Sequence, residues 1–170
     1  IQDRWISVGW HSDTDALARD GSKSARSLDN LRLGSSCEHN MVLDQELDLA
    51  VGSNVQATFW IRGELSSASY FRLHYSTNDG VGWTELNTVN RSYYYTQTSY
   101  ERLQADLSAL AGQSIRLRFH ISGNSSSPNA QIHLDKFTIA EMPEPALALS
   151  IDQIQPTSFR LNWSPTNLTN

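Results

Sequence analysis

The stretch that decides the fold is the alternating run Ile115-Arg116-Leu117-Arg118-Phe119-His120-Ile121. Its odd-numbered positions are apolar, and its even-numbered positions are charged or polar. Because successive side chains of an extended strand point to opposite faces, this period of two predicts a β-strand. One face of that strand should lie in a core and the other in a wetter environment.

Three further segments alternate in the same way and predict an all-β protein. They are residues 55–61, 70–75 and 132–139, with a β-bulge expected near Asp135 that would exchange the two faces. Only residues 103–112 suggest a short helical turn. Short strands separated by Gly, Asn and Ser are typical of a sandwich. We therefore predict an antiparallel two-sheet β-sandwich of the jelly-roll type, with a core that contains Phe59, Ile61, Phe71, Leu73, Leu117, Phe119 and Leu134.

The composition excludes several classes of protein. The chain has 170 residues, with 13 Lys and Arg against 18 Asp and Glu, a formal net charge of -5 and a pI near 5.4. Because no basic field attracts phosphates, nucleic acid and anionic membranes are poor partners. No apolar run approaches the roughly 18 residues of a membrane-spanning helix. The single cysteine, Cys37, cannot form an internal disulfide or a thiolate zinc cluster.

A compositional boundary falls at Met142-Pro143-Glu144-Pro145. Two prolines this close cannot continue a strand ladder, and they favour an extended linker. Two more segments with a strand pattern follow, residues 146–151 and 158–163, which are too few strands to close a second core. The expected organisation is a domain at residues 1–142, a linker at 143–146 and the first strands of an incomplete module at 147–170.

Three local patterns carry a family resemblance. Ser76-Thr77-Asn78-Asp79-Gly80-Val81-Gly82-Trp83 has the spacing of an Asp-box, with Asn78 where that motif has Asp. Asn can make the same turn-closing hydrogen bond, so the departure is mild. Residues 105–113 precede the strand at 115–119, and residues 132–139 close the pattern. Together they resemble the MAM-like jelly rolls of secreted bacterial proteins, including the cleaved-adhesin type, and they are similar to reelin-repeat sandwiches.

The tail carries a second resemblance. Pro156-Thr157-Ser158-Phe159-Arg160-Leu161-Asn162-Trp163-Ser164-Pro165 is similar to the opening of a fibronectin type III module. Trp163 would be the buried tryptophan of that module's second strand. A MAM-like domain followed by such a module is an arrangement of multidomain exported proteins, so the resemblance implies an accessory role.

Calcium is the cofactor that the acidic residues favour. Asp13, Asp15 and Asp20 lie in an irregular stretch with Gly21, and carboxylate and carbonyl oxygens in such a loop suit a flexible Ca²⁺ site. MAM-like and reelin-like jelly rolls commonly hold a structural calcium between this loop and the Asp of the closing motif, and the resemblance carries that role to Asp135. A plain solvated acidic loop explains the same residues equally well.

Aromatic residues give the main binding signal. Tyr93, Tyr94 and Tyr95 run together close to Tyr100, in a stretch rich in Thr, Ser and Gln. A strand buries at most alternate members of such a run, so at least one ring should face solvent. Exposed rings among amides and hydroxyls suit stacking on sugars, and they suit protein contacts equally. The alternative is that these rings cover an edge of the sandwich.

The sequence contains no catalytic motif. The histidines lack a metal-ligand spacing, and a solvent-facing or packing role is expected for His74, His120 and His133. No Gly-x-Ser-x-Gly elbow marks a serine nucleophile, and no cation adjoins Cys37 to activate its thiol. A single Asp-box in so short a chain cannot supply the propeller of a sialidase.

These observations predict a non-catalytic accessory module for adhesion or binding, with a glycan or an extracellular protein as its ligand. We expect it to belong to a larger exported bacterial protein that is secreted or held at the cell surface, with other domains of the same chain as further partners. No signal peptide precedes Ile1, so an export signal would have been removed or would lie outside these residues. The alternatives are a structural spacer or docking domain of a secreted protease or glycosidase, and a hydrolase fragment.

Overall fold

The computed structural model describes residues 5–27, 37–65, 69–92, 95–123, 130–142, 149–155 and 158–163. The strands are β1 (Trp5–Val8), β2 (Trp10–Thr14), β3 (Lys23–Ser27), β4 (Cys37–Leu43), β5 (Leu47–Asp48), β6 (Val55–Leu65), β7 (Ser69–Ser76), β8 (Thr84–Ser92), β9 (Thr96–Asp106), β10 (Ser114–Gly123), β11 (Ala130–Glu141), β12 (Leu149–Gln155) and β13 (Ser158–Trp163). A short 3-10 helix spans Ser108–Leu110.

Two antiparallel sheets form a sandwich, as the alternation predicts. Sheet A has the strand order β1-β4-β10-β7-β8, with β5 also paired to β10. Sheet B has the order β2-β3-β11-β6-β9. Most neighbouring strands in these sheets are distant in sequence, so the chain repeatedly crosses from one sheet to the other. The predicted antiparallel two-sheet jelly roll is confirmed.

The core lies between the sheets and consists of the apolar faces of the alternating strands. All seven residues expected there are at most 5% exposed. Phe119 lies at the centre, with its ring 5.0 Å from that of Phe59 and 6.0 Å from that of Phe71. Trp5 of β1 and Phe137 of β11 also contact it, each with ring centres 5.6 Å away. Phe119 therefore contacts aromatic rings from both sheets.

The bulge expected near Asp135 is present in β11. The pairing of β11 with β6 shifts register between Asp135 and Thr138, and Lys136 has a φ of 48°. This left-handed residue exchanges the two faces of the strand, so that Phe137 and Ile139 pack against the core after the bulge. Strict alternation would have placed Phe137 on the outer face with His133.

The segment expected to be a helical turn is helical only in its second half. Strand β9 continues to Asp106, and the 3-10 helix follows at Ser108–Leu110. The backbone N–H of Ser108 donates to Asp106 Oδ1 (2.9 Å), which marks the change from strand to turn.

The C-terminal strands β12 and β13 pair with each other as a separate antiparallel sheet. Strand β13 has the expected bounds, whereas β12 extends to Gln155. The proposed linker at residues 143–146 lies outside the described residues. The domain boundaries and the fibronectin type III assignment therefore stay predictions. Within the described part of the chain, no helix is long and apolar enough to cross a membrane.

Candidate functional site

The acidic loop, residues 13–22, comprises the end of β2 and the turn into β3, and it is anchored to the outer face of sheet B by Asp15. Asp15 is only 4% exposed. Its Oδ1 pairs with Arg62 Nη2 (2.9 Å) and accepts the N–H of Leu17 (2.9 Å), while its Oδ2 accepts the hydroxyl of Tyr100 (2.6 Å). Burial alone would raise the pKa of Asp15, but these hydrogen bonds outweigh burial and hold its pKa well below the usual range. Asp15 is thus an ionised anchor with both oxygens in use.

Asp135 ties the same loop to β11. Its Oδ2 accepts the N–H groups of Arg19 (2.5 Å) and Asp20 (3.2 Å), and its Oδ1 accepts the N–H of Lys136 (2.7 Å). The guanidinium of Arg19 lies 4.2 Å from the centre of the Trp60 ring on β6. The loop therefore covers part of the outer face of sheet B.

Three of the four carboxylates predicted to bind calcium, those of Asp13, Asp15 and Asp135, already have donor partners in this arrangement, while Asp20 contributes its backbone N–H to Asp135. Asp13 pairs with Arg26 (2.7 Å), Asp15 with Arg62, and Asp135 accepts three backbone N–H groups. Oxygens that already face N–H donors and guanidinium groups are poor ligands for a cation. Across the part of the chain that the structure describes, no group of three or more His, Cys, Asp or Glu residues could hold a metal ion. Calcium binding stays a prediction, and it would require the loop to rearrange.

The structure describes two of the four tyrosines that the sequence suggests as ligand-binding residues. Tyr93 and Tyr94 lie outside the described residues. Tyr95 is half-buried against the core and donates its hydroxyl to Glu101 Oε2 (3.2 Å), and Tyr100 donates to Asp15. Burial, followed by these carboxylate contacts, raises the pKa of both phenols. Both described tyrosines therefore make hydrogen bonds that hold the fold together.

Ser24, His133 and Asp15 have the residue types of a catalytic triad, but their geometry differs from one. Ser24 Oγ lies 2.9 Å from His133 Nδ1, and Asp15 Oδ2 lies 3.4 Å from that same nitrogen. A triad requires the nucleophile at one ring nitrogen and the carboxylate at the other. All three residues are also at most 6% exposed. His133 therefore has a packing role, which is one of the two roles expected for it.

The outer face of sheet A brings together side chains from strands that are far apart in sequence. Cross-strand partners have side chains on the same face of a sheet. The first row of partners across this face is Ile6, Val42, Arg118, His74 and Glu85, and the second row is Val8, Asn40, His120 and Arg72. Ile6 and Val8, at the β1 edge, are 55% and 66% exposed. This face is therefore open to solvent and combines apolar, planar polar and charged groups.

Two buried imidazoles lie beneath the arginines of this face. His74 and His120 are 8% and 6% exposed, and their ring centres are 5.1 Å apart. Arg118 Nη2 lies 2.9 Å from His74 Nδ1, and because arginine can only donate, that nitrogen accepts. His120 Nδ1 lies 2.8 Å from the amide oxygen of Asn40, so this nitrogen donates. Burial, followed by the charge of Arg118, lowers the pKa of both imidazoles to about 4, so both are neutral at pH 7.

Trp83 is added to this face by the turn between β7 and β8. Asn78 Oδ1 accepts the N–H of Gly82 (2.8 Å), and Ser76 Oγ accepts the N–H of Gly80 (2.9 Å). These bonds close the turn in the way the Asn-containing motif predicts. They place the Trp83 ring 4.4 Å from the guanidinium carbon of Arg118.

A cleft of about 1040 Å³ lies between the two sheets beside the bulge in β11. Leu43 and Leu47 of sheet A and Phe137 of sheet B contribute to its walls, with Lys23 and Lys136 also in its lining. Since Phe137 and Leu47 also pack against the core, the apolar wall of the cleft is an extension of the core.

The sequence did not identify this face as a candidate site, although the residues that form it follow a recognisable pattern. Arg118 and His120, like Arg72 and His74, are the polar members of alternating runs. Alternation identified them as outward-facing, but it did not show that β7 and β10 are neighbours. The solvent-facing alternative for His74 and His120 is wrong, because the arginine and asparagine side chains around them leave both rings buried.

The fold defines the class of the protein as a jelly-roll β-sandwich. No protein-family model matches the sequence, and no curated protein matches it either. Solved structures do match, and the K1 cleaved adhesin domain of Lys-gingipain from Porphyromonas gingivalis W83 is similar over 84% of this chain and 93% of its own. That match has 16% sequence identity and a TM-score of 0.59. The resemblance to the cleaved-adhesin type is thus confirmed at the level of the fold.

Two further solved structures have a similar fold. TmCBM61, solved in complex with β-1,4-galactotriose, is similar over 81% of this chain and 88% of its own, with 14% identity and a TM-score of 0.51. The structure of the glycoside hydrolase domain of Endo-D, Spr0440, from Streptococcus pneumoniae R6 matches over 80% of this chain but only 21% of its own, with 18% identity and a TM-score of 0.53. At these identities the likeness establishes the fold alone.

Proposed function

We propose that this chain is a non-catalytic glycan-binding module of a larger exported protein, and that the glycan binds on the outer face of sheet A. The observation that supports the proposal is that strand pairing brings an aromatic ring and planar polar side chains together on this face. Trp83 supplies an aromatic ring, and Arg72, Arg118 and Asn40 supply planar hydrogen-bonding groups held by their neighbours. Sugars are recognised by such a combination, because their C–H faces stack on rings while their hydroxyls need donors and acceptors.

The outer face of sheet A is more accessible to a ligand than the outer face of sheet B. On sheet B, the acidic loop contacts Trp60, Arg62 and Asp135. On sheet A, Ile6 and Val8 are exposed at the β1 end of the two rows of partners. The fold is similar to that of a module solved with a bound glycan and to that of a cleaved adhesin domain. We therefore expect the ligand to bind this open face.

The proposal of a non-catalytic role is supported by the chemistry of the histidines. His74 accepts a hydrogen bond from an arginine and His120 donates one to an amide, so among the described residues neither is paired with a nucleophile or a carboxylate. In the buried cluster of Ser24, His133 and Asp15, the serine and the carboxylate face the same ring nitrogen, whereas a catalytic triad needs one at each nitrogen. For His74 and His120, no described nucleophile is in contact with the ring, and a general base needs such contact with the group that it deprotonates.

An extracellular protein is the second candidate ligand, and one observation favours it. Ile6 and Val8 leave an exposed apolar edge on β1, which suits the core of a protein contact. Both ligands would use the same face of sheet A, so a single set of variants tests both.

The test is a glycan array with the whole chain, followed by titration of the glycans that bind. Trp83→Ala should weaken binding about tenfold or more, because a ring at the centre of a binding face is a typical hot spot. Trp60→Ala is the matched control on sheet B and should bind as the wild type does. Equal affinity of the two variants would refute the proposed face. No binding to any glycan would refute glycan recognition and favour the protein ligand or a spacer.

A further inference from the structure

Arg118 differs from the other arginines on the outer face of sheet A in its partners. Arg116 pairs with Asp79 (2.7 Å), and Arg72 pairs with Glu85 (3.4 Å). Arg118 instead contacts two uncharged groups, the Nδ1 of His74 at 2.9 Å and the ring of Trp83 at 4.4 Å. In the part of the chain that the structure describes, no carboxylate lies within ion-pair distance of it.

The guanidinium of Arg118 is also partly removed from water. The residue is half-buried, and this burial lowers the pKa of Arg118, while the charge of Glu38 opposes the shift. A desolvated cation without a counter-ion is unfavourable, and an anion brought by a ligand would relieve that cost. His74 occupies Nε and Nη2, and the Nη1 donors make no hydrogen bond among the described residues. Arginine therefore has donors left for a ligand.

We infer that Arg118 forms an anion-binding subsite and that the glycan recognised by this face carries an acidic group, the carboxylate of a uronic acid or a sulfate ester. The inference rests on the proposed function and specifies its substrate class. Nη1 and the second N–H of Nη2 form the free end of the guanidinium, which can bind such groups with two parallel hydrogen bonds, and the Trp83 ring against the guanidinium fixes its orientation. His74 contributes by staying neutral, because it accepts from the guanidinium without adding charge.

Because the net charge of the chain is negative, an acidic glycan would have to be recognised by the contacts at Arg118 and not by the overall charge of the protein. At a formal charge of -5, the protein as a whole repels polyanions, so general electrostatic attraction does not favour an acidic polysaccharide. An anionic ligand must gain its affinity from the subsite itself. Binding of an acidic glycan without comparable binding of DNA would therefore show a specific contact.

The experiment compares matched pairs of polysaccharides that differ in charge. Polygalacturonate and its methyl ester test the carboxylate, and carrageenan and its desulfated form test the sulfate. The whole chain is titrated with each at 150 mM salt, roughly the physiological ionic strength. The acidic member of at least one pair should bind about 10- to 100-fold more tightly, which is the range expected for hydrogen bonds to a charged group. Preference in the first pair alone identifies a uronic acid, and preference in the second pair alone identifies a sulfate ester.

Three variants locate the charge dependence. Arg118→Gln should abolish the preference for the acidic member, and Arg118→Lys should retain part of it, because lysine keeps the charge but loses the fork. Arg116→Gln, on the same strand and face, should bind as the wild type does. Circular dichroism and melting curves of each variant establish that it is folded.

The outcomes separate this inference from the proposed function. Equal binding of acidic and neutral members by the wild type overturns the inference and leaves glycan recognition intact. Failure to bind any glycan overturns both. A preference for the acidic glycan that survives Arg118→Gln shows that another part of the protein binds the acidic group. DNA binding as tight as that of polygalacturonate shows that the protein binds polyanions without specificity. Either result overturns the proposed subsite.

Discussion

Replacing Asp15 by Asn should destabilise the fold more than the same replacement of Asp13, the other carboxylate of the acidic loop that pairs with an arginine. The Asn side chain keeps one acceptor oxygen, so it can serve either Arg62 and Leu17 or Tyr100, but not both groups. It also leaves Arg62, whose side chain is 19% exposed, without its counter-ion. Breaking a buried ion pair costs about 3–5 kcal/mol, and the partial exposure of Arg62 favours about 3 kcal/mol. Urea denaturation at pH 7, followed by tryptophan fluorescence, measures the loss.

Asp13→Asn is the matched control, because Asp13 lies in the same loop and also pairs with an arginine, Arg26 of β3. The side chains of Arg26 and Asp13 are 25% and 32% exposed, so the loss should be about 0–1 kcal/mol. Equal losses in the two variants would refute the reasoning.

The dependence on pH gives a second check on Asp15. Because the folded state lowers the pKa of Asp15 below its unfolded value of about 3.9, its contribution is complete above that value and is lost as the pH falls through the folded pKa. The difference in stability between the wild type and Asp15→Asn should therefore be constant at neutral pH and shrink in acid. A difference that grows in acid would contradict an ionised Asp15.

Four further predictions follow from the packing, the backbone, the histidines and the acidic loop. Phe119→Ala should lower the free energy of unfolding by about 3–5 kcal/mol, since it empties the centre of the core, and an unchanged denaturation midpoint would place Phe119 at the surface. Gly63→Ala should be far more destabilising than Gly52→Ala in the same assay, because a Cβ at Gly63 would lie 1.9 Å from Gln131 O, whereas at Gly52 it meets nothing within 4 Å. His74 and His120 have a pKa of about 4 in the fold, so stability should fall as the pH drops from about 6.5 towards 4, and replacing both by Gln should flatten this part of the profile. Millimolar calcium should raise the melting temperature and EGTA should lower it if the ion replaces the N–H and guanidinium partners of Asp13, Asp15 and Asp135, and Asp135→Asn should weaken the response; a melting temperature indifferent to both would remove the predicted site.

The candidate site was predictable only in pieces. The Asn78 turn could be derived from sequence, because its hydrogen bonds join residues two to four positions apart. The role of Tyr100 could not, since its hydroxyl bonds to Asp15, 85 positions away. A ring that looked available for a ligand is thus an internal hydrogen-bond donor. The burial of His74 and His120 was equally hidden, because it depends on which side chains from neighbouring strands cover them.

The sequence by itself determined the segments of β6, β7, β10 and β11, the core face of each and the bulge in β11, because a period of two and its interruption are local properties of the backbone. Only the tertiary structure decided the order of strands in each sheet. Strand β10 lies between β4 and β7, and this placement brings Arg118 against His74, which is 44 positions away in the chain. Strand pairing is a contact between distant segments, and many orders of strands bury the same apolar faces equally well. The outward-facing side chains that meet across the strands, and hence the candidate site, therefore follow from the topology.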